Sequence, residues 1–96
     1  MTRLSESATV VVAGDVLASE LGSEVVLLNL QDGTYYGLEG VGGDVWKLVQ
    51  TPVTVDEILR TIVAEYDVEA ECCRQDILKL LGDLATRGLV EIRDGQ

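Results

Sequence analysis

The amino-acid sequence predicts an α+β fold, a small three-stranded antiparallel sheet followed by three helices, and three features lead to that reading. After Glu39 the apolar period lengthens from about two residues to about 3.6. An Asp32-Gly33 pair stands between two runs rich in Val, Leu and Tyr, as in a hairpin turn. Thr54 and Glu57 stand at capping-box spacing at the head of a long amphipathic stretch. Strands first and helices after, in 96 residues with no internal repeat and no Pro-, Gly- or Ser-rich linker, predict one domain over residues 1–96.

Residues 1–7 hold two serines and mixed charges and are expected to be a loose, disordered start. Thr9 to Val12 is a short β-branched run with strand character. Val16, Leu17 and Leu21 mark the first strand of the meander, Gly22-Ser23 a tight turn, and Glu24 to Leu30 the second strand. The Gln31-Asp32-Gly33 turn returns the chain as a third strand, Thr34 to Leu38, because Asp-Gly readily supplies positive φ. Val41, Val45, Trp46, Leu48 and Val49 share one side of a first helix, which Pro52 prevents from continuing. In the second helix Val55, Ile58, Leu59, Ile62, Val63 and Tyr66 form the apolar stripe. The third runs from about Glu71 to Arg87 with Ile77, Leu78, Leu81, Leu84 and Ala85 inward, and Gly88 supplies its stop. Leu89 to Ile92 forms a terminal strand, and the last two helices with that strand give a winged helix-turn-helix character.

Composition excludes more than it selects. The chain has no histidine, so Ser-His-Asp and Cys-His chemistry are excluded and a conventional zinc set cannot be assembled. Cys72 and Cys73 are adjacent, unlike a CxxC pair, and read as free thiols in a reducing compartment. Seventeen acidic against seven basic residues give a net charge of −10, which repels nucleic acid and favours neutral or basic partners. No apolar run is long enough to span a bilayer, and the first residues do not form a signal sequence, so a cytoplasmic protein without a membrane span is expected.

Gly40, Gly42 and Gly43 lack both GxGxxG spacing and a Gly-Lys-Ser/Thr ending, and read as a helix start. Glu69 and Glu71 sit where a helix N-terminus favours acids, and Asp76 reads as a solvent-facing charge. The more informative feature is surplus hydrophobicity. Val25 and Leu27 point opposite to Val26, Leu28 and Leu30, so both faces of the second strand are apolar although one helical layer covers only one. Leu80 lies off the main stripe of the third helix, beside Cys73, Asp76 and Asp83, at the edge of a groove or of a wide core face. Tyr36 and Leu38 share one face of the third strand while Tyr35 looks the other way, and an edge strand of this kind is a template for an extended peptide.

The ordered series Val26-Leu27-Leu28-Asn29-Leu30, Gly33-Thr34-Tyr35-Tyr36-Gly37-Leu38, Val45-Trp46, Thr54-Val55-Asp56-Glu57-Ile58, and Asp76-Ile77 through Leu80-Leu81 to Leu84 and Gly88-Leu89-Val90 resembles the PqqD-like family from about Val16 to Val90. The resemblance implies a recognition element for ribosomally made, post-translationally modified peptides. In such an element a precursor's leader peptide adds as a strand beside the third strand and lies against the third helix, without catalysis and without a cofactor. Free-standing length, Leu-Asn-Leu before the turn and the doubled tyrosine are most similar to the lasso-peptide version, which serves a separate leader peptidase and implies a leader with a Tyr-x-x-Pro-x-Leu-like segment. The alternative the resemblance leaves is a PqqD-type chaperone for a radical-SAM enzyme in cofactor or other modified-peptide biosynthesis, and the winged-helix character leaves a regulatory protein as a further one. Carried over by position, Thr34, Tyr35 and Tyr36 would pair with the leader backbone and Val26 and Leu28 would help line its pocket. Cys73, Asp76, Ile77 and Leu80 would face it from the third helix.

Overall fold

The computed structural model describes residues 6–22 and 24–93. In chain order the elements are β1 (Thr9–Val12), β2 (Val16–Leu21), β3 (Glu24–Asn29), β4 (Tyr35–Glu39), α1 (Val41–Leu48), β5 (Val53–Thr54), α2 (Val55–Tyr66), α3 (Ala70–Thr86) and β6 (Val90–Arg93). The expected meander is present as the antiparallel sheet β2-β3-β4, and a second antiparallel sheet has the order β5-β1-β6. That second sheet joins the early β-branched run to the terminal strand through residues far apart in sequence, with Val10 opposite both Val53 and Ile92. Of the loose start expected over residues 1–7, residues 1–5 lie outside the described residues, as does Ser23 of the first hairpin turn. Glu6 and Ser7 form a turn in which the Glu6 carbonyl accepts from the Asp56 N–H.

The start of α2 and the end of α3 are bounded by the chemistry that the sequence places there. The Thr54 hydroxyl accepts from the Glu57 N–H at 3.2 Å while the Glu57 carboxylate accepts from the Thr54 N–H at 3.0 Å, a complete capping box. The next two N–H groups of α2, on Val55 and Asp56, donate to the carbonyls of Ala8 and Glu6, so the helix start is fused to the β5-β1 ladder. At the other end of the helical layer Gly88 adopts φ 74°. It donates to the Ala85 carbonyl, and Leu89 donates back to Leu84, a Schellman termination that needs a residue without Cβ strain at Gly88.

The core is one cluster drawn from all three layers: Val10 of β1, Val25, Leu27 and Leu38 of the meander, Val45, Trp46 and Val49 around α1, Val55, Ile58 and Ile62 of α2, and Ile77, Leu81 and Leu84 of α3. Leu78 and Ala85, expected inward, are only half-buried. Cys73 takes a core place, because it shares the helix face of Ile77. Gly42 lets α1 approach β4 closely, since a Cβ there would lie 3.2 Å from Leu38 Cδ2.

Candidate peptide-binding edge

The hairpin between β3 and β4 is locked from within. Asp32 Oδ1 accepts from the Thr34 hydroxyl at 2.7 Å and from the Thr34 N–H at 3.0 Å. The hydroxyl contact first and the N–H second hold the Asp32 carboxyl below its ordinary range. Gly33, at φ 73°, donates to the Asn29 carbonyl, and Asn29 N–H donates to Thr34 O.

That last bond sets the phase of the ladder. In an antiparallel pair alternate residues exchange bonds, so the Asn29–Thr34 bond makes Leu27–Tyr36 and Val25–Leu38 the bonded pairs. Tyr36 and Leu38 therefore spend their main-chain groups on β3, where the Thr34 carbonyl also bonds, while Tyr35, Gly37 and Glu39 direct theirs outward. Among the described residues no strand pairs with this outer edge of β4. Of the residues expected to pair with a leader backbone, only Tyr35 has outward main-chain groups. Gly37 and Glu39, which sequence reasoning passed over, complete the edge.

The helix beside this edge is identified by one contact. Arg87 places its guanidinium 4.7 Å from the centre of the Tyr36 ring, and Asn29, a buried polar residue, donates its Nδ2 to the Arg87 carbonyl at 2.8 Å. These ties bring the C-terminal end of α3 against β3 and β4. Asp76, Leu80, Asp83 and Arg87 recur at i, i+4, i+7 and i+11, so they share one side of α3 with the arginine that meets Tyr36. Leu80 is half-buried on that flank and Asp76 is exposed. The opposite flank carries Arg74, ion-paired with Glu6, and faces α2 across a cleft of about 360 Å³ floored by Leu59, Val63 and Ala70. The charged rim of that cleft is paired internally, Arg60 with Asp56 at 3.0 Å and Arg74 with Glu6.

The residues expected to share one groove thus divide among several surroundings. Tyr36 meets the C-terminal end of α3 through Arg87, and Asp76 and Leu80 lie farther up the same side of that helix. Cys73 and Ile77 belong to the core, since both lie on the helix face that packs inward. Val26, Leu28 and Tyr35 look away from α3, because strand side chains alternate and the buried face is that of Val25, Leu27 and Leu38. Val26 and Leu28, expected to help line the pocket, stand by this parity on the face away from the helices. Thr34 lies in the turn, engaged by Asp32.

Among the described residues the outer edge of β2 is also unpaired, but it has no comparable flank. Ala18 and Glu20, on the inner side of the sheet, are exposed, so no described helix stands beside that edge to receive side chains. Among the described residues no three His, Cys, Asp or Glu side chains gather in a metal-ligating group, and no helix is long and apolar enough to cross a membrane. Cys72 is exposed and Cys73 buried, both as free thiols. The Glu69 carboxylate, accepting from Cys72 Sγ at 3.0 Å, pushes the Cys72 thiol up, and burial does the same for Cys73.

Comparison with known proteins gives a family and two solved structures that resemble this chain. A family model described as coenzyme PQQ synthesis protein D (PqqD) matches residues 24–90. A solved structure, TbiB1 in complex with the TbiA(beta) leader peptide, is 37% identical with a TM-score of 0.80, covering 84% of this chain and 94% of that one. Lasso peptide synthetase B1 complexed with the leader peptide shares the fold at 18% identity, with a TM-score of 0.70 over 85% of this chain and 96% of that one. No curated protein sequence matches the chain.

Proposed function

Because the chain belongs to the PqqD family, we propose that it binds the leader segment of a ribosomally made precursor peptide by strand addition and presents it to a separate leader peptidase in lasso-peptide biosynthesis. The observation that carries this reading is the unpaired edge of β4 with α3 beside it, in a fold whose 37% identical relative is complexed with a leader peptide. The main-chain groups of Tyr35, Gly37 and Glu39 supply register, and Tyr36, Asp76 and Leu80 meet the inward side chains of the added strand. Val26 and Leu28 contribute least. They lie on the strand behind β4, two strand spacings or roughly 9 to 10 Å from an added one.

The whole chain, residues 1–96, acts in this proposal as one binding domain without chemistry of its own. Support comes from the missing histidine, which removes the usual general base, so the purified protein should leave the precursor intact. The net charge of −10 argues against a nucleic-acid-binding role for the same fold. Delivery to a radical-SAM enzyme is the second reading, favoured by the PQQ-synthesis description of the matching family. Reconstitution with each enzyme class separates the two.

The test is Gly37→Pro. Proline on an edge strand with its missing N–H toward solvent is tolerated by the sheet, yet it removes the central outward donor. Titrated by fluorescence anisotropy, a labelled leader should bind the wild type saturably and the variant more weakly by roughly a hundredfold, with unchanged circular dichroism. Equal affinity would remove the β4 edge from the mechanism. Full precursor processing by the peptidase without this protein would remove the delivery role.

A further inference from the structure

The meander has a second surface that peptide capture does not use. Across its three strands the pairing register sets Leu17, Leu28 and Tyr35 in one row on the face away from the helices, with Val26 in the next row and Leu21 in the third. Nothing described covers this face: Leu17 is 57% exposed, Leu21 62% and Tyr35 71%. Scattered exposed leucines are ordinary, but here they are contiguous by register.

The charges around the row point to its occupant. From Leu4 to Trp46 the chain has no Lys or Arg, so every charged group of β2, β3, β4 and their turns is acidic. Glu24 and Glu39 stand directly opposite each other in a non-bonded pair, where side chains approach most closely and like charges destabilise. Neither has an ion-pair partner among the described residues, and Glu24 leans across the face, its Oε2 3.7 Å from where a Cβ on Gly37 would be. A second copy laid on this face would set acid against acid with no cation on either sheet.

We propose that the outer face of β2-β3-β4 docks a separate protein whose contact surface has an apolar centre and a Lys/Arg rim, namely the leader peptidase that receives the peptide. The inference rests on the delivery role proposed above and adds the surface that role requires. Three strands about 4.8 Å apart and some 20 Å long present roughly 300 Å². That is well below the roughly 800 Å² per partner of a stable complex, so the encounter is transient and salt-sensitive.

The experiment uses the full chain, immobilised, with the separately purified leader peptidase as analyte, and the double variant Leu17→Glu/Leu21→Glu. Both positions are exposed on β2, away from the β4 edge. The variant should lose peptidase affinity by roughly tenfold or more while binding labelled leader like the wild type. Glu24→Lys should weaken the peptidase contact by itself and flatten its salt dependence. Unchanged peptidase affinity in both variants overturns the proposal. So does a wild type that sediments as a dimer which the double variant abolishes, since the occupant is then a second copy. Failure of the wild type to bind leader would sink the delivery role separately, because loss of peptidase binding in the double variant would still identify this face.

Discussion

The β5-β1-β6 sheet and the β2-β3-β4 sheet each have three antiparallel strands, but they differ in what their edges are free to do. In the first, the β5 edge is only two residues long, Thr54 doubles as the cap of α2, and the carbonyls of Ala8 and Glu6 hold the first helical N–H groups. Its other edge, β6, ends in the Glu91–Arg93 ion pair at 3.2 Å, and charged edges resist further pairing. In the second sheet only the inner face is committed to the core, which among the described residues leaves the β4 edge and the outer face without a partner. The closed sheet ties β1 and β6 to the helices, and the open one is the surface that the proposed binding uses. That difference makes mutational cost a map of role.

The largest effect expected lies within the open sheet itself. Leu27 is fully buried on its inner face, and Leu27→Ala should cost about 2 to 5 kcal/mol by lost burial and a residual cavity. Leu17→Ala, on the outer face, should change stability by no more than about 0.5 kcal/mol. Urea unfolding of the two variants measures the contrast, and similar costs would mean that the outer face also belongs to the core.

Next in size is the boundary between the open sheet and α3. A fully buried apolar side chain stabilises by roughly 1.5 to 3 kcal/mol, so exchanging a groove contact for a charge that resists desolvation is costly. Leu80→Lys should therefore weaken leader binding by well over about tenfold. Asp76→Ala, measured in parallel, reports the acidic side of the same flank. Unchanged affinity in both folded variants would move the bound strand elsewhere, and the unpaired edge of β2 is then the place to look.

Local order was legible in the sequence, and long-range partnership was not. The Asp32-Gly33 turn, the Thr54–Glu57 box and the Gly88 stop each act within a few residues, so their chemistry is readable in place. The two-residue β5 escaped because its strand character comes only from pairing with Thr9 and Val10, more than forty positions away. On α3 the stripe Ile77, Leu81 and Leu84 was evident, yet Cys73 is a small apolar residue between Cys72 and Arg74, and its burial depends on what stands opposite. Asn29 carried a usable signal: a polar residue at the parity of Val25 and Leu27 must find buried partners, and it does so in the Arg87 carbonyl and the Gln31 N–H. The Asp76-Leu80-Asp83-Arg87 spacing was equally visible, but the side on which β4 lies required the Arg87–Tyr36 contact.

The smallest effect belongs to the closed sheet, where β5 becomes α2. Thr54→Ala removes the hydroxyl that accepts from the Glu57 N–H and should cost about 1 kcal/mol while leaving leader affinity unchanged, since the cap lies in the other sheet. The reciprocal half of the box is sensitive to pH. Hydrogen bonds from Thr54, its N–H first and its hydroxyl second, hold the Glu57 carboxyl below its ordinary value. On unfolding the group returns to the ordinary carboxylate value, so the unfolded chain binds the proton more readily. The contribution is then full above that value and declines as pH falls through it toward the lower folded value. Glu57→Gln keeps an acceptor for the Thr54 N–H but does not titrate. The melting-temperature difference between wild type and Glu57→Gln should be constant from neutral pH down to about 5 and shrink below about 4. A difference that persists undiminished to acid pH would show that the carboxylate charge has no part in closing this edge, and that the Thr54 hydroxyl caps α2 alone.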